Sequence, residues 1–155
     1  MPPPPARPGI VGRATLVRRN DEDLLSWIDR VASNVKTLFE PPYVIEVAVF
    51  HKGAPMELFD QGGFIFGLAS QLRRDSKDRV NMVNPAQVKA AVGRRRPRGP
   101  TTASTKKNWI VQAAMEDIEG AQDLQAETKK RREALADAIY IAKAGIILFG
   151  EDSAG

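Results

Sequence analysis

Tyr43-Val44-Ile45-Glu46-Val47-Ala48-Val49-Phe50 is the stretch on which the fold turns. Its β-branched and aromatic residues favour a pleated strand, and Lys52 to Pro55 behind it reads as a loop. One acid, Glu46, interrupts an otherwise apolar run. A carboxylate there is costly to bury unless it is paired or bound to metal. The plain alternative is an edge-strand glutamate facing solvent.

Working outward, the periodicity alternates. Upstream, Leu24, Ile28, Val31, Val35 and Leu38 recur at helical spacing with Trp27 beside them, and Pro41-Pro42 stops the helix. Asn20 is expected to cap it, with Asp21, Glu22 and Asp23 at the positive end of the dipole. Gly9 to Arg19 is ambiguous: Ile10-Val11 and Thr15-Leu16-Val17 suit short strands or a loose lead-in.

Downstream, Met56 to Arg73 reads as a helix in which Gly62-Gly63 and Gly67 allow another backbone to approach. Val80 to Val83 is a second short strand ending at Asn84-Pro85, and Ala86 to Val92 is a short helix. Gly93 to Thr105 is a basic loop, and Lys106 to Ile118 is a helix. Ala121 to Arg132 is polar, part linker and part exposed helix, and Ala134 to Leu148 is the last helix. Strands alternating with helices imply an α/β domain. The expected organisation is a proline-rich, poorly ordered lead-in over 1–19, one domain over 20–150 and a tail over 151–155.

Composition bounds the chemistry. The chain has 155 residues, enough for one domain with a real core, and aromatics at 6% predict that this core is mainly aliphatic. There is no cysteine, which excludes disulfides, zinc fingers and cysteine nucleophiles. His51 is the single histidine, so no site needing two is available. The net charge of +4 is mild, but Lys89 to Lys107 holds seven basic residues and no acid. Such a field attracts polyanions and makes binding salt-dependent. The longest apolar run, Ala134 to Gly150, is broken by Asp137 and Lys143, so no membrane span is expected and the default location is the cytoplasm.

Four features are candidates for function. Glu46 is the first. Asp137 is the second, set among Leu135, Ala136, Ala138 and Ile139, with Glu133 one helical turn earlier on the same face. The ordinary alternative is a solvated helix face. Pro85-Ala86-Gln87-Val88-Lys89 is the third, a proline-led helix that presents Lys89. The fourth is the basic loop with Arg94, Arg95, Arg96 and Arg98, followed by Lys106 and Lys107 at a helix start, where cations oppose the dipole. That placement hints at a phosphate ligand.

Taken in order, these segments resemble the RuvC family of Holliday-junction resolvases, across about 100 residues from Val44 to Gly145. Val44-Ile45-Glu46 is similar to the family's strand with a metal-binding acid. Pro85-Ala86-Gln87-Val88-Lys89 is similar to its Pro-x-Gln-Val-Lys stretch, Ala103-Ser104-Thr105-Lys106 to its next basic block, and Leu135-Ala136-Asp137-Ala138 to its C-terminal acid motif. The chain is also somewhat similar to the divergent phage members of the family.

The resemblance implies an RNase H-like mixed sheet flanked by helices, and a metal-dependent endodeoxyribonuclease that cleaves branched DNA in recombination, repair or phage DNA processing. It also implies Mg²⁺ or Mn²⁺ held by Glu46, Asp137 and Glu133, and DNA contacts from Lys89, Arg94, Arg95, Arg96, Arg98, Lys106 and Lys107. A homodimer is implied as well, with the Met56 to Arg73 helix as a possible seam.

Two departures stand beside the likeness. The family opens with a strand bearing a Gly-Ile-Asp-type aspartate, and Gly9-Ile10-Val11-Gly12 has no acid; the chain is expected to be N-terminally truncated relative to the family. The family often has two aspartates three apart, whereas Glu133 and Asp137 are four apart. The rival expectations are a non-catalytic nucleic-acid-binding protein or remnant on the same fold, and a small α/β adaptor whose basic loop meets an acidic partner.

Overall fold

Asp23 starts the first helix. Its carboxylate accepts the Ser26 amide at 2.7 Å, and α1 runs Leu24–Leu38. The cap therefore sits three residues after Asn20, where the sequence pattern placed it. Glu22 is committed elsewhere, to the Arg30 guanidinium at 2.8 Å and to the Arg19 amide. That leaves Asp23 at the helix entry. The computed structural model describes residues 9, 10, 12–47, 55–77, 79–96 and 108–150.

A parallel strand pair follows. Strand β1 is Tyr43–Glu46 and β2 is Val80–Val83, in the register Tyr43↔Val80 to Glu46↔Val83. Parallel strands need a crossover, and helix α2, Pro55–Asp75, supplies it. It runs two residues beyond the expected Arg73. Two of its glycines let α1 approach: a Cβ on Gly67 would lie 2.7 Å from Ile28 Cδ1, and one on Gly63 3.2 Å from Leu24 Cδ2. Gly62 has nothing within 4 Å and plays no part in that contact. Trp27 of α1 and Phe64 of α2 stack with ring centroids 5.2 Å apart. Much of the α2 face expected at a dimer seam is thus taken up by α1, while Phe66 stays 60% exposed. Residues 48–50 of the expected strand lie outside the described residues.

Helix α3, Pro85–Val92, is set by local chemistry. Asn84 accepts from the Gln87 amide and the Gln87 side chain accepts from the Asn84 amide, both at 2.9 Å, with proline at the first turn. Gly93 ends it at φ 73°, a left-handed conformation that glycine adopts without penalty. Helix α4 is Asn108–Asp117, a short 3₁₀ turn covers Gln122–Ala126, and helix α5 is Lys129–Phe149, capped by Thr128. Residues 9 and 10 bridge to Glu119, and Arg13 forks onto Asp123 at 2.8 and 3.0 Å.

The pleat of the sheet divides the interior in two. Tyr43, Ile45 and Val80 pack with Val31, Leu68 and Leu72 on the α1–α2 side. Val44 and Val83 pack with α3, α4 and α5, around Val92, Val111, Leu124 and Tyr140. The result is an α/β arrangement with helices on both sheet faces. Tyr140, Leu72 and Leu124 are almost fully buried, and each of the two leucines contributes roughly 1.5–3 kcal/mol through burial. The core is mainly aliphatic, as the composition predicts. No helix among the described residues is long and apolar enough to cross a membrane.

Candidate metal and nucleic-acid site

Glu46 closes β1. Successive side chains of a strand alternate between faces, so Glu46 shares the face of Val44. That face carries α5: a Cβ on Gly145 would lie 3.0 Å from both Cβ and Cγ1 of Val44. The Val47 amide donates to the Val83 carbonyl at 2.8 Å and fixes the strand end immediately after Glu46. In the sheet Glu46 lies beside Val83, which is completely buried. Glu46 itself is half-buried.

Asp137 lies on α5, the helix packed on that face. Positions 133, 137, 140 and 144 follow helical spacing and form one stripe. Tyr140 and Ala144 on that stripe are buried, and Glu133 and Asp137 are half-buried at its N-terminal part. Ala136 and Tyr140, which flank Asp137, belong to the apolar cluster that contains Val83. The sheet face bearing Glu46 therefore packs against α5, with its contact at Val44 and Gly145, about two turns beyond Asp137. Both acids emerge at the edge of a packed interior, from two elements that touch.

Glu133 is one turn further out. Among the described residues, no three Asp, Glu or His side chains are grouped to hold a metal ion. Glu46 and Asp137 each carry a hard oxygen donor of the kind Mg²⁺ and Mn²⁺ take, one or two carboxylates at a time, beside water and phosphate oxygens. They do not by themselves make the two-ion arrangement, which draws on more carboxylates.

The basic residues divide into three sets. Lys89 is exposed on α3, and Arg95 and Arg96 are exposed just beyond Gly93. Arg94 is held back, because its guanidinium forks onto Asp117 and also binds Glu116 of α4. Those two carboxylates push its basicity still higher. To meet a phosphate it must exchange partners. Arg98, Lys106 and Lys107 lie outside the described residues.

Tyr140 lies beneath this ion pair. Its phenol is pushed up to about 12, first by burial and then by the nearby Asp117 charge. Among the described residues its hydroxyl has no hydrogen-bond partner.

One group escapes the reading of the sequence. Lys129, Lys130, Arg131 and Arg132 occupy the first turn of α5, where no acid accompanies them. The signal was present as four consecutive cations after a capping threonine. It lies within the polar stretch Ala121 to Arg132, upstream of the apolar pattern that begins at Ala134.

A groove of about 390 Å³ lies on the opposite side of α5, between Gly9, Ile10 and residues 12–14 on one wall and Ala138, Ile139, Ala142 and Ile146 on the other. It is apolar, and neither Glu46 nor Asp137 lines it. Comparison of the chain with protein-family models, with curated proteins and with solved structures returns no match.

Proposed function

We propose that this chain is a RuvC-like, RNase H-type endodeoxyribonuclease that acts on branched DNA with bound Mg²⁺ or Mn²⁺. The observation that supports this reading is that β1, which carries Glu46, packs through Val44 against α5, which carries Asp137. A parallel strand pair with helices on both faces is compatible with the mixed sheet of that fold. Glu46 and Asp137 would hold the ion, with Glu133 as a further oxygen donor from the same helix. An ion bound there supplies positive charge to a phosphodiester under attack. Lys89, Arg95 and Arg96 hold the DNA backbone by charge, and such contacts position the duplex without reading its sequence. A branched junction offers two symmetric strands, which suits a homodimer.

The test is cleavage of a labelled four-way junction in Mg²⁺ and in Mn²⁺. Glu46→Gln and Asp137→Asn are expected to abolish cutting while junction binding persists. Wild-type cutting by both variants would show that the acids are wrongly assigned.

A second reading follows from the absence of a three-acid group among the described residues. On that reading the chain binds branched DNA and does not cut it. Binding of the junction with no cleavage by the wild-type chain in either metal would select it. The same affinity for linear duplex and junction would count against both readings.

A further inference from the structure

We infer that Lys129, Lys130 and Arg131 form a clamp on the DNA phosphate backbone that sets the strand against Asp137 of the same helix. The inference rests on the DNA-binding part of the reading above and is independent of whether the chain cuts.

Three observations lead to it. First, the cluster is placed where a helix disfavours it. The first turn of α5 carries four cations and no acid, against the positive end of the helix dipole. Lys129 and Glu133 are four apart with the cation nearer the N-terminus, the weaker order for such a pair.

Second, the cluster is not consumed by the fold. Lys129, Lys130 and Arg131 are exposed, and no ion pair engages them among the described residues. Arg132 is partly buried: it donates to the Glu127 carbonyl at 3.0 Å, and its Nε is buried without a partner among the described residues. Arg132 thus anchors the turn, and its three neighbours project from it.

Third, the cluster and the acids share one rigid element. Lys129 precedes Glu133 by about 6 Å and Asp137 by about 12 Å along the helix axis. Successive helical residues are 100° apart, so the three exposed cations fan across more than half of the helix circumference. A phosphodiester brought to Asp137 would carry its neighbouring phosphates past that fan. The cations also offset the repulsion that the acids exert on DNA. A polyanion of regular phosphate spacing matches a fan of separate charges; an acidic protein patch would need an apolar rim beside them, and the large apolar side chains that α5 exposes, Ile146 to Phe149, lie at its far end.

The experiment is a titration of the full chain against a fluorescein-labelled four-way junction in EDTA, between 50 and 200 mM salt. Wild type is compared with Lys129→Gln/Lys130→Gln/Arg131→Gln. Each lost phosphate contact lowers the log–log salt slope by about 0.9, so the slope should fall by about 2.7. Across that fourfold salt change, the loss of affinity should shrink by about 40-fold relative to wild type. Circular dichroism checks that helix content is kept. Should the triple variant fail to fold, each single Gln variant should lose about 0.9 of slope.

An unchanged slope would overturn the clamp, as would failure of the wild-type chain to bind DNA. A reduced slope in a chain that never cuts would leave the clamp standing while the nuclease reading falls. An unchanged slope in a chain that cuts junctions would remove the clamp alone.

Discussion

Gly145 of α5 faces Val44 of β1 at a distance that leaves no room for a methyl group: a Cβ there would collide with Cγ2 of Val44 and come within 3.0 Å of two further carbons. The neighbour is a β-branched side chain on a strand, with little freedom to turn away. Gly145→Ala is therefore expected to destabilise the chain by about 1–3 kcal/mol through overpacking, despite the better helix propensity of alanine. Gly62→Ala, with nothing within 4 Å of the added carbon, should instead stabilise by about 0.5–1 kcal/mol. Urea denaturation of the two variants separates the cases. Equal shifts would show that α5 does not press on β1.

Acid should weaken the entry to α1. The Arg30 guanidinium beside Glu22 holds its carboxyl at about 2, below its ordinary value of 4.5. A carboxyl whose folded value is depressed contributes stability above its unfolded value and loses it as pH falls through the folded one. The loss should run from about pH 4.5 down to about pH 2. Glu22→Gln should flatten that part of the stability–pH curve while leaving the neutral limb shallow. The same acid limb in wild type and variant would assign the loss to other carboxylates.

Tyr140→Phe should be neutral or stabilising by about 1 kcal/mol. Its hydroxyl is buried without a partner among the described residues, and removing such a group also removes its desolvation cost. The ring, which fills the space among α3, α4 and α5, is kept. A loss of stability on denaturation would mean that the hydroxyl is bonded after all.

Neutralising the partners of Arg94 should strengthen DNA binding. Glu116→Gln/Asp117→Asn removes two negative charges and releases a guanidinium from α4. The salt slope of junction binding should steepen by about 0.9 if the freed Arg94 takes up one phosphate. A tighter complex with no change of slope would point to relief of repulsion alone.

The elements were legible wherever local chemistry acted alone. Val80 to Val83 and the helix behind it were readable because Asn84, Pro85 and Gln87 form a self-contained cap. Two of the ends that moved did so for reasons outside a local pattern. Asp23 displaced Asn20 as the cap because Glu22 was drawn to Arg30, eight residues on. Helix α5 begins at Lys129, earlier than the apolar pattern shows, because Thr128 caps it and Arg132 finds a backbone carbonyl.

The candidate site divides in the same way. Pleat and helical periodicity put Glu46 and Asp137 on defined faces, and that much lies in the residue spacing. The contact of those faces through Val44 and Gly145 is tertiary. So is the capture of Arg94 by α4, since nothing at positions 94–98 shows which cation will find a carboxylate 22 residues away.

The two-stranded sheet has a kinetic consequence. It is the wall shared by two separate apolar clusters, the one among α3, α4 and α5 much the larger. Regions with fewer buried contacts open at lower free energy, each as a cooperative unit. Amide hydrogens of α1 should therefore exchange with solvent through a partial opening that leaves α5 protected. In such a state Asp137 and the cations of α5 stay in place while the far face of β1 is laid bare, so ligands held by α5 should slow exchange in α5 more than in α1.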